Sequence, residues 1–270
     1  MRELALHQIT ISHGVPDALV RFAASARLRK VCLFTASPRA EDGENIFPVV
    51  AAADKAAFQS LLADNDISII NAEYFPVRSG INVSHYAREL DLAAELGAKR
   101  AVTHISETNP ERITDQLGLL CEMTRNRGME TGLEFTGFAK GCDSLEKAVS
   151  LHHRIGQPNL KIAIDALHLF RTGGTLEQVK AIKPRNIGYA QICDGPHFHI
   201  SDDYYKEAMN RLIPGQGVFP LAALFALLGD HVDVDIEVPH YDCEPHFDAK
   251  DWALRSIAAS RLLTDNRRVK

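Results

Sequence analysis

The chain is organised by a recurring unit. A short apolar run, a helical pattern and a glycine or polar break follow one another about every 30 residues, eight times over. The apolar runs fall at 4–9, 31–34, 67–75, 101–105, 131–135, 161–164, 187–192 and 232–238. Runs this short and rich in Val and Ile suit parallel strands buried on both faces. Between them lie helical stripes. After Pro16, the residues Leu19, Phe22, Ala23 and Ala26 recur at i, i+3, i+4 and i+7, one face of a helix. Tyr86, Ala87, Leu90 and Ala94 form a similar stripe, stopped by Gly97. Asn109 and Pro110 read as the cap and first position of the next helix. Ile113, Leu117, Leu120 and Cys121 form its apolar face, and Gly128 closes it. Asp143–Glu146 reads as a capping box for a helix carrying Leu145, Ala148, Val149 and Ile155, which ends at Gly156.

Eight βα units in about 250 residues predict a (β/α)8 TIM barrel, a single domain over 1–270 with no linker-like stretch dividing it. A doubly wound sheet gives the same alternation. Its commonest signature, GxGxxG after the first strand, is missing.

Composition narrows the partners. The net charge of −5 argues against a nucleic-acid partner, which usually meets a basic face. No apolar run approaches the roughly 20 residues of a membrane helix, and "MRELALHQIT" lacks a signal-peptide layout. The five cysteines are scattered and free of CxxC spacing. They read as reduced thiols of a cytoplasmic protein.

In a barrel, chemistry collects at the C-terminal ends of the strands. Those positions hold Glu134 in "TGLEF", Asp165 in "IAID", Gln191 and Asp194 in "QICD", and Glu237 in "DIEV". His104 closes the fourth strand, Glu73 lies late in the third and His7 in the first. Singly, each buried carboxylate has a structural reading as half of an ion pair. Together they repel, and desolvating each costs several kcal/mol unless something positive lies between. No cluster of Lys or Arg stands at the neighbouring strand ends, so a divalent cation is expected. The donors are oxygens, which favours Mg2+ or Mn2+, with Co2+ or Zn2+ as further candidates.

Taken together, Glu134, "DALH" at Asp165 to His168, "QICD", "RLIPGQGVFPL" from Arg211 and "IEV" at Glu237 resemble the xylose isomerase-like TIM barrels. That group holds sugar-phosphate isomerases and epimerases, inosose-processing enzymes, 3-dehydroshikimate dehydratases and apurinic endonucleases. The resemblance implies that Glu134, Asp165, Gln191 and Glu237 hold one metal ion. Many relatives carry His where this chain has Gln191. Gln occurs in other branches, the dehydroshikimate type among them. The endonuclease branch needs more histidines, and "DGPH" spaces Asp194 and His197 wrongly for it.

The expected function is metal-dependent isomerisation or epimerisation of a small sugar or polyol-derived hydroxy-carbonyl compound. Glu134 and Glu237 move protons through a metal-stabilised enediolate. A dehydratase of the 3-dehydroshikimate type is the alternative, and a catalytically silent binding barrel is a third reading. His168, Arg211 and His104 are the candidate substrate-binding residues. His168 also reads as a capping histidine, and Arg211, before the "PGQG" turn, as a surface ion pair. The partner is a small molecule, with no nucleic acid and no membrane; the resemblance also implies a homodimer.

Overall fold

The protein is described here from a computed structural model covering residues 3–11, 14–38, 44–242 and 247–264. Cys243 lies outside the described residues; the other four cysteines are buried and free.

Eight parallel strands close in chain order. They are β1 (Leu4–His7), β2 (Lys30–Phe34), β3 (Ser68–Glu73), β4 (Arg100–Thr103), β5 (Glu130–Leu133), β6 (Leu160–Asp165), β7 (Ile187–Ile192) and β8 (Asp233–Ile236). β8 returns to β1 through Leu4↔Val234 and Leu6↔Ile236. That closure makes a (β/α)8 barrel and rules out the doubly wound alternative. Every predicted run overlaps one of these strands, four of which begin one residue earlier than the run. Several runs overshoot the strand at its C-terminal end, because apolar residues continue into the loops that form the rim.

The helices are α1 (Pro16–Ser25), α2 (Lys55–Asp64), α3 (Ala87–Glu95), α4 (Pro110–Arg125), α5 (Leu145–Ile155), α6 (Ala166–Arg171), α7 (Leu176–Ala181), α8 (Tyr204–Ala208), α9 (Leu221–Leu227) and α10 (Ala249–Thr264). Among the described residues no helix is long and apolar enough to cross a membrane. α4 begins as its sequence predicts. Asn109 accepts from the amides of Glu111 and Arg112, Pro110 takes the first position, and Ile113, Leu117, Leu120 and Cys121 are buried. The cap of α5 is shifted by one residue. Ser144 accepts from the Lys147 amide, whereas Asp143 pairs with the Lys147 ammonium at 2.7 Å. Gly156 ends α5 at φ 64°, a left-handed conformation that Gly adopts without strain.

Inside the barrel, Tyr189 of β7 is fully buried. It fits because Gly132 of β5 has no side chain; a Cβ there would stand 2.9 Å from the tyrosine Cε1. Below the ring, at the N-terminal end, lies an ion cluster. Asp233 pairs with Lys99 (2.7 Å), Arg100 (2.9 Å) and Lys30 (3.0 Å), and Arg100 also pairs with Glu130 (2.7 Å). Above the ring the Tyr189 hydroxyl donates to Glu134 Oε2 at 3.2 Å.

Candidate active site

Glu134 and Glu237 each stand one residue past a strand, yet both stay in the ladder. The Glu134 amide donates to Thr103 O at 3.0 Å and the Glu237 amide to Ile192 O at 3.3 Å. Their backbones are therefore held as firmly as strand residues. Asp165 and Gln191 are direct partners across β6 and β7. The four predicted metal ligands thus ring one end of the barrel, on four consecutive strands, and all are buried.

Two sub-clusters meet there. In the first, Glu134 accepts from Tyr189 and lies 3.3 Å from His104 Nε2 and 3.8 Å from His168 Nε2. In the second, Arg211 binds Asp165 Oδ2 through Nη1 at 2.6 Å and Glu237 Oε1 through Nη2 at 3.1 Å. Gln191 Nε2 also donates to Glu237 Oε2. Ligand atoms of Glu134, Asp165 and His168 lie within 4.8 Å of one another, so the clusters share one space.

This arrangement corrects two expectations. The rim carboxylates do have a positive partner, because Arg211 is buried between two of them rather than forming a surface ion pair. The sequence hid this because Arg211 lies on a loop far along the chain from both acids. Asp194, counted among the rim oxygens, is instead a loop organiser. It accepts from the amides of Gly195 (2.9 Å), Gly215 (2.9 Å) and Phe219 (3.1 Å). A Cβ at Gly217 would stand 2.3 Å from Asp194 Oδ1. The glycines of "PGQG" therefore let the backbone wrap Asp194, not a ligand, and the wrapped loop carries Arg211.

The residues fit a divalent ion. The donor set is oxygen-rich and charged. Gln191 Oε1 is a buried acceptor with no hydrogen-bond partner among the described residues, so one ligand oxygen stands free. Binding through Asp165 Oδ2 or Glu237 Oε1 requires the Arg211 contacts to open.

The ionisation of the site follows from burial and charge. Burial works to raise the Asp165 pKa, but the Arg211 guanidinium, the His168 ring and the His168 amide outweigh it and hold the carboxyl below its usual range. Burial pushes Glu237 well up, against the opposing pull of Arg211. Burial lowers His168 to about 4, which leaves a neutral ring. Its Nδ1 shares a hydrogen bond with the Tyr204 hydroxyl at 2.5 Å, and its amide caps onto Asp165 Oδ1 at 2.8 Å. Asp165 is thus the capping side chain of α6 and His168 supplies the capped amide, while the His168 ring lines the cavity. Burial also works to lower His104, but Glu134 outweighs it and raises the pKa.

Glu134, Gln191 and Glu237 floor a cavity of about 290 Å³, and Asp165 lies behind them, off its lining. Its walls are aromatic and apolar: Phe34 and Phe47, stacked at 4.5 Å, on one side, and Phe138, Tyr205 and Met209 on the other. His104, His168 and Arg211 all line it, as do His7 and Glu73. Arg211 is the one Lys or Arg among the described lining residues. Tyr189, Tyr204 and the aromatic walls were missed in the sequence. Tyr189 alone had a signal, a large residue facing inward from β7 opposite the glycine of β5.

The sequence profile of the xylose isomerase-like TIM barrels matches residues 20–262. The chain belongs to that family. No curated protein sequence matches it. Among solved structures, a xylose isomerase-like TIM barrel/4-hydroxyphenylpyruvate dioxygenase fusion protein superposes with a TM-score of 0.81 at 18% identity; the match covers 99% of this chain and 44% of that one. The IolI protein with a bound zinc atom gives 0.80 at 15% identity, over 98% of both chains. An L-ribulose 3-epimerase gives 0.76 at 13% identity, over 100% of this chain and 96% of that one. Identities this low show the shared fold.

Proposed function

We propose that the protein isomerises or epimerises a small, uncharged hydroxy-carbonyl compound of the sugar or polyol class, with a divalent metal held by Glu134, Asp165, Gln191 and Glu237. The observation that carries the reading is the free Gln191 Oε1 beside buried Glu237 and Glu134 at the floor of one cavity, with Asp165 next to Gln191 across the strands. A bound ion supplies Lewis-acid polarisation of the substrate carbonyl and the hydroxyl next to it.

The chain supplies the rest. Glu134 and Glu237 enter from β5 and β8 and reach the substrate from different sides. One takes the proton next to the carbonyl, leaving an enediolate. Return of a proton at the neighbouring carbon isomerises the substrate, and return by the second glutamate from the other face epimerises it. His168 and His104 hold substrate hydroxyls; neutral His168 has Tyr204 fixing its ring. The aromatic walls cover the apolar faces of the carbon chain and exclude water. Arg211, the one Lys or Arg on the described lining, is already held by Asp165 and Glu237, which favours a neutral substrate over the carboxylate of dehydroshikimate. A zinc-binding relative and an epimerase relative support the class.

The test is a panel of ketoses, inososes and dehydroshikimate, incubated with enzyme and Mn2+ in D2O and read by NMR. The expected result is deuterium at the carbon next to the carbonyl of a neutral member, abolished by excess chelator. Full activity in chelator would overturn the metal role. Water loss from dehydroshikimate alone would make the enzyme a dehydratase.

A further inference from the structure

The strand that ends at Glu237 carries another acid two residues earlier. Side chains two apart on a strand share a face, so Asp235 lies inside the barrel one layer below the rim. It is fully buried. Neither of its oxygens receives a hydrogen bond of acceptable geometry, and no Lys or Arg pairs with it among the described residues. A carboxylate buried in that way either takes up a proton, as burial favours for Asp235, or meets a compensating charge, which here comes from the neighbouring His7 ring or from an ion. The cations around Asp233 lie one layer further down, and Arg211, at the rim, is held by Asp165 and Glu237.

What surrounds Asp235 is a set of metal-binding atoms. Ligand atoms of His7, Cys32 and Asp235 lie within 4.8 Å of one another, and all three residues are buried. Glu73 Oε1 adds a fourth donor, 3.2 Å from Cys32 Sγ and 3.7 Å from His7 Nε2. Bond lengths of about 2.0–2.3 Å place the ligands of a tetrahedral zinc roughly 3.3–3.8 Å apart. The His7–Glu73 separation falls in that range and the Cys32–Glu73 one lies just below it, while the His7, Cys32 and Asp235 atoms, within 4.8 Å of one another, close by up to about 1 Å to reach it.

We infer that His7, Cys32, Asp235 and Glu73 form a second metal site inside the barrel, beneath the first and suited to a borderline-soft divalent ion such as Zn2+ or Co2+. The donor set sets the preference: one thiolate, one imidazole and two carboxylates favour such ions over Mg2+. His7 and Glu73 line the cavity while Cys32 and Asp235 do not, so an ion reaches the site through the cavity floor. The Ile9 amide points at His7 Nδ1 at 3.2 Å. Ligation through Nε2 puts the ring proton on Nδ1 and opens that contact, so this site fills after the oxygen-donor one. The inference does not depend on the proposed reaction.

The experiment is a Co2+ titration of the chelator-stripped full chain, followed by absorption. Oxygen and imidazole donors give only weak visible bands, whereas a thiolate ligand adds an intense sulfur-to-cobalt band in the near ultraviolet. The expected result is binding of about two ions per chain, with the thiolate band growing in as the second binds. Cys32→Ser should lose that band and keep the first ion, with circular dichroism confirming the fold. Wild-type spectra that reach saturation without the thiolate band would overturn the site without reference to any variant, whereas a single ion that carries the band would remove only the oxygen-donor site. A band surviving in Cys32→Ser would also overturn it and point to Cys193, whose sulfur lies 3.5 Å from Arg211.

Discussion

The two ends of the barrel bury the same kinds of side chain and use them differently. At the N-terminal end, Asp233 and Glu130 meet Lys30, Lys99 and Arg100, and every carboxylate has a cation within 3.0 Å. None of these residues lines the cavity. At the C-terminal end, Glu73, Glu134 and Glu237 line a cavity with one guanidinium and three imidazoles, and Asp165 stands behind them on Arg211. Tyr189 stands between, with Arg100 5.8 Å from its ring on one side and Glu134 on its hydroxyl on the other. The comparison shows that buried charge alone does not mark a site. Charge left unbalanced beside open space does, because only there does the fold leave work for a ligand.

The sharpest way to break this comparison is to remove one acid from each end. Glu134→Gln keeps the shape and the Tyr189 contact but removes the basic carboxylate. General-base catalysis contributes roughly 100- to 10,000-fold, so turnover should fall by about that range, with metal binding retained. Asp165→Ala should instead weaken metal binding, and added Mn2+ should partly restore its activity. Asp233→Asn, at the other end, should leave turnover per folded molecule unchanged. Steady-state rates with metal titrations decide. Near wild-type turnover in Glu134→Gln would remove that residue from the base role.

The same pair of ends should separate by stability. Asp233→Asn leaves Arg100, itself 1% exposed, with a lost partner in the interior. Breaking a buried pair costs about 3–5 kcal/mol, which a urea midpoint measures. The sign of the pH dependence follows from the ionisation of Asp233. Burial works to raise its pKa, but Lys99, Arg100 and Lys30 outweigh it and depress the value. A depressed acid adds stability above its unfolded value of about 3.9 and loses it as pH falls toward the folded value. The gap between wild type and Asp233→Asn should therefore be full above about pH 5 and narrow below about pH 4. A gap independent of pH would mean that packing, not charge, supplies the stability.

Much of this was legible because barrel strands and rim positions are written locally. The eight apolar runs found all eight strands; strand-end position brought forward Glu134, Asp165, Gln191 and Glu237 together with Asp194, and the family resemblance singled out the four. "VDVDIEV" shows both the reach and the limit of such reading. Asp233, Asp235 and Glu237 alternate along one face, so their shared inward direction follows from a period of two. What separates them is partners. Asp233 meets cations from β2 and β4, Glu237 meets Arg211 from a loop, and Asp235 meets His7 and Cys32. Those partners are set by barrel closure, a long-range event that no local window contains. Arg211 and Asp194 were misjudged for the same reason. The loop that binds one and is bound by the other takes its shape from contacts about 20 residues apart in the chain.

The finest distinction between the ends concerns a single neutral side chain. Gln191 gives the upper cluster an amide, whose nitrogen donates to Glu237 and whose oxygen stays free. Amide oxygen is a hard donor. Gln191→His replaces it with imidazole, which suits Co2+ and Zn2+ better than Mg2+ or Mn2+. The variant should therefore shift the Zn2+-over-Mn2+ preference on the order of tenfold, about 1.4 kcal/mol. Competitive titration of both proteins reads this directly, with Asp233→Asn as the control in which preference stays fixed. Histidine cannot reproduce the Glu237 contact with the same geometry, so some loss of overall affinity should accompany the shift. The order of preference is the deciding quantity. If it is unchanged in Gln191→His, the amide lies outside the ligand set and serves only to hold Glu237.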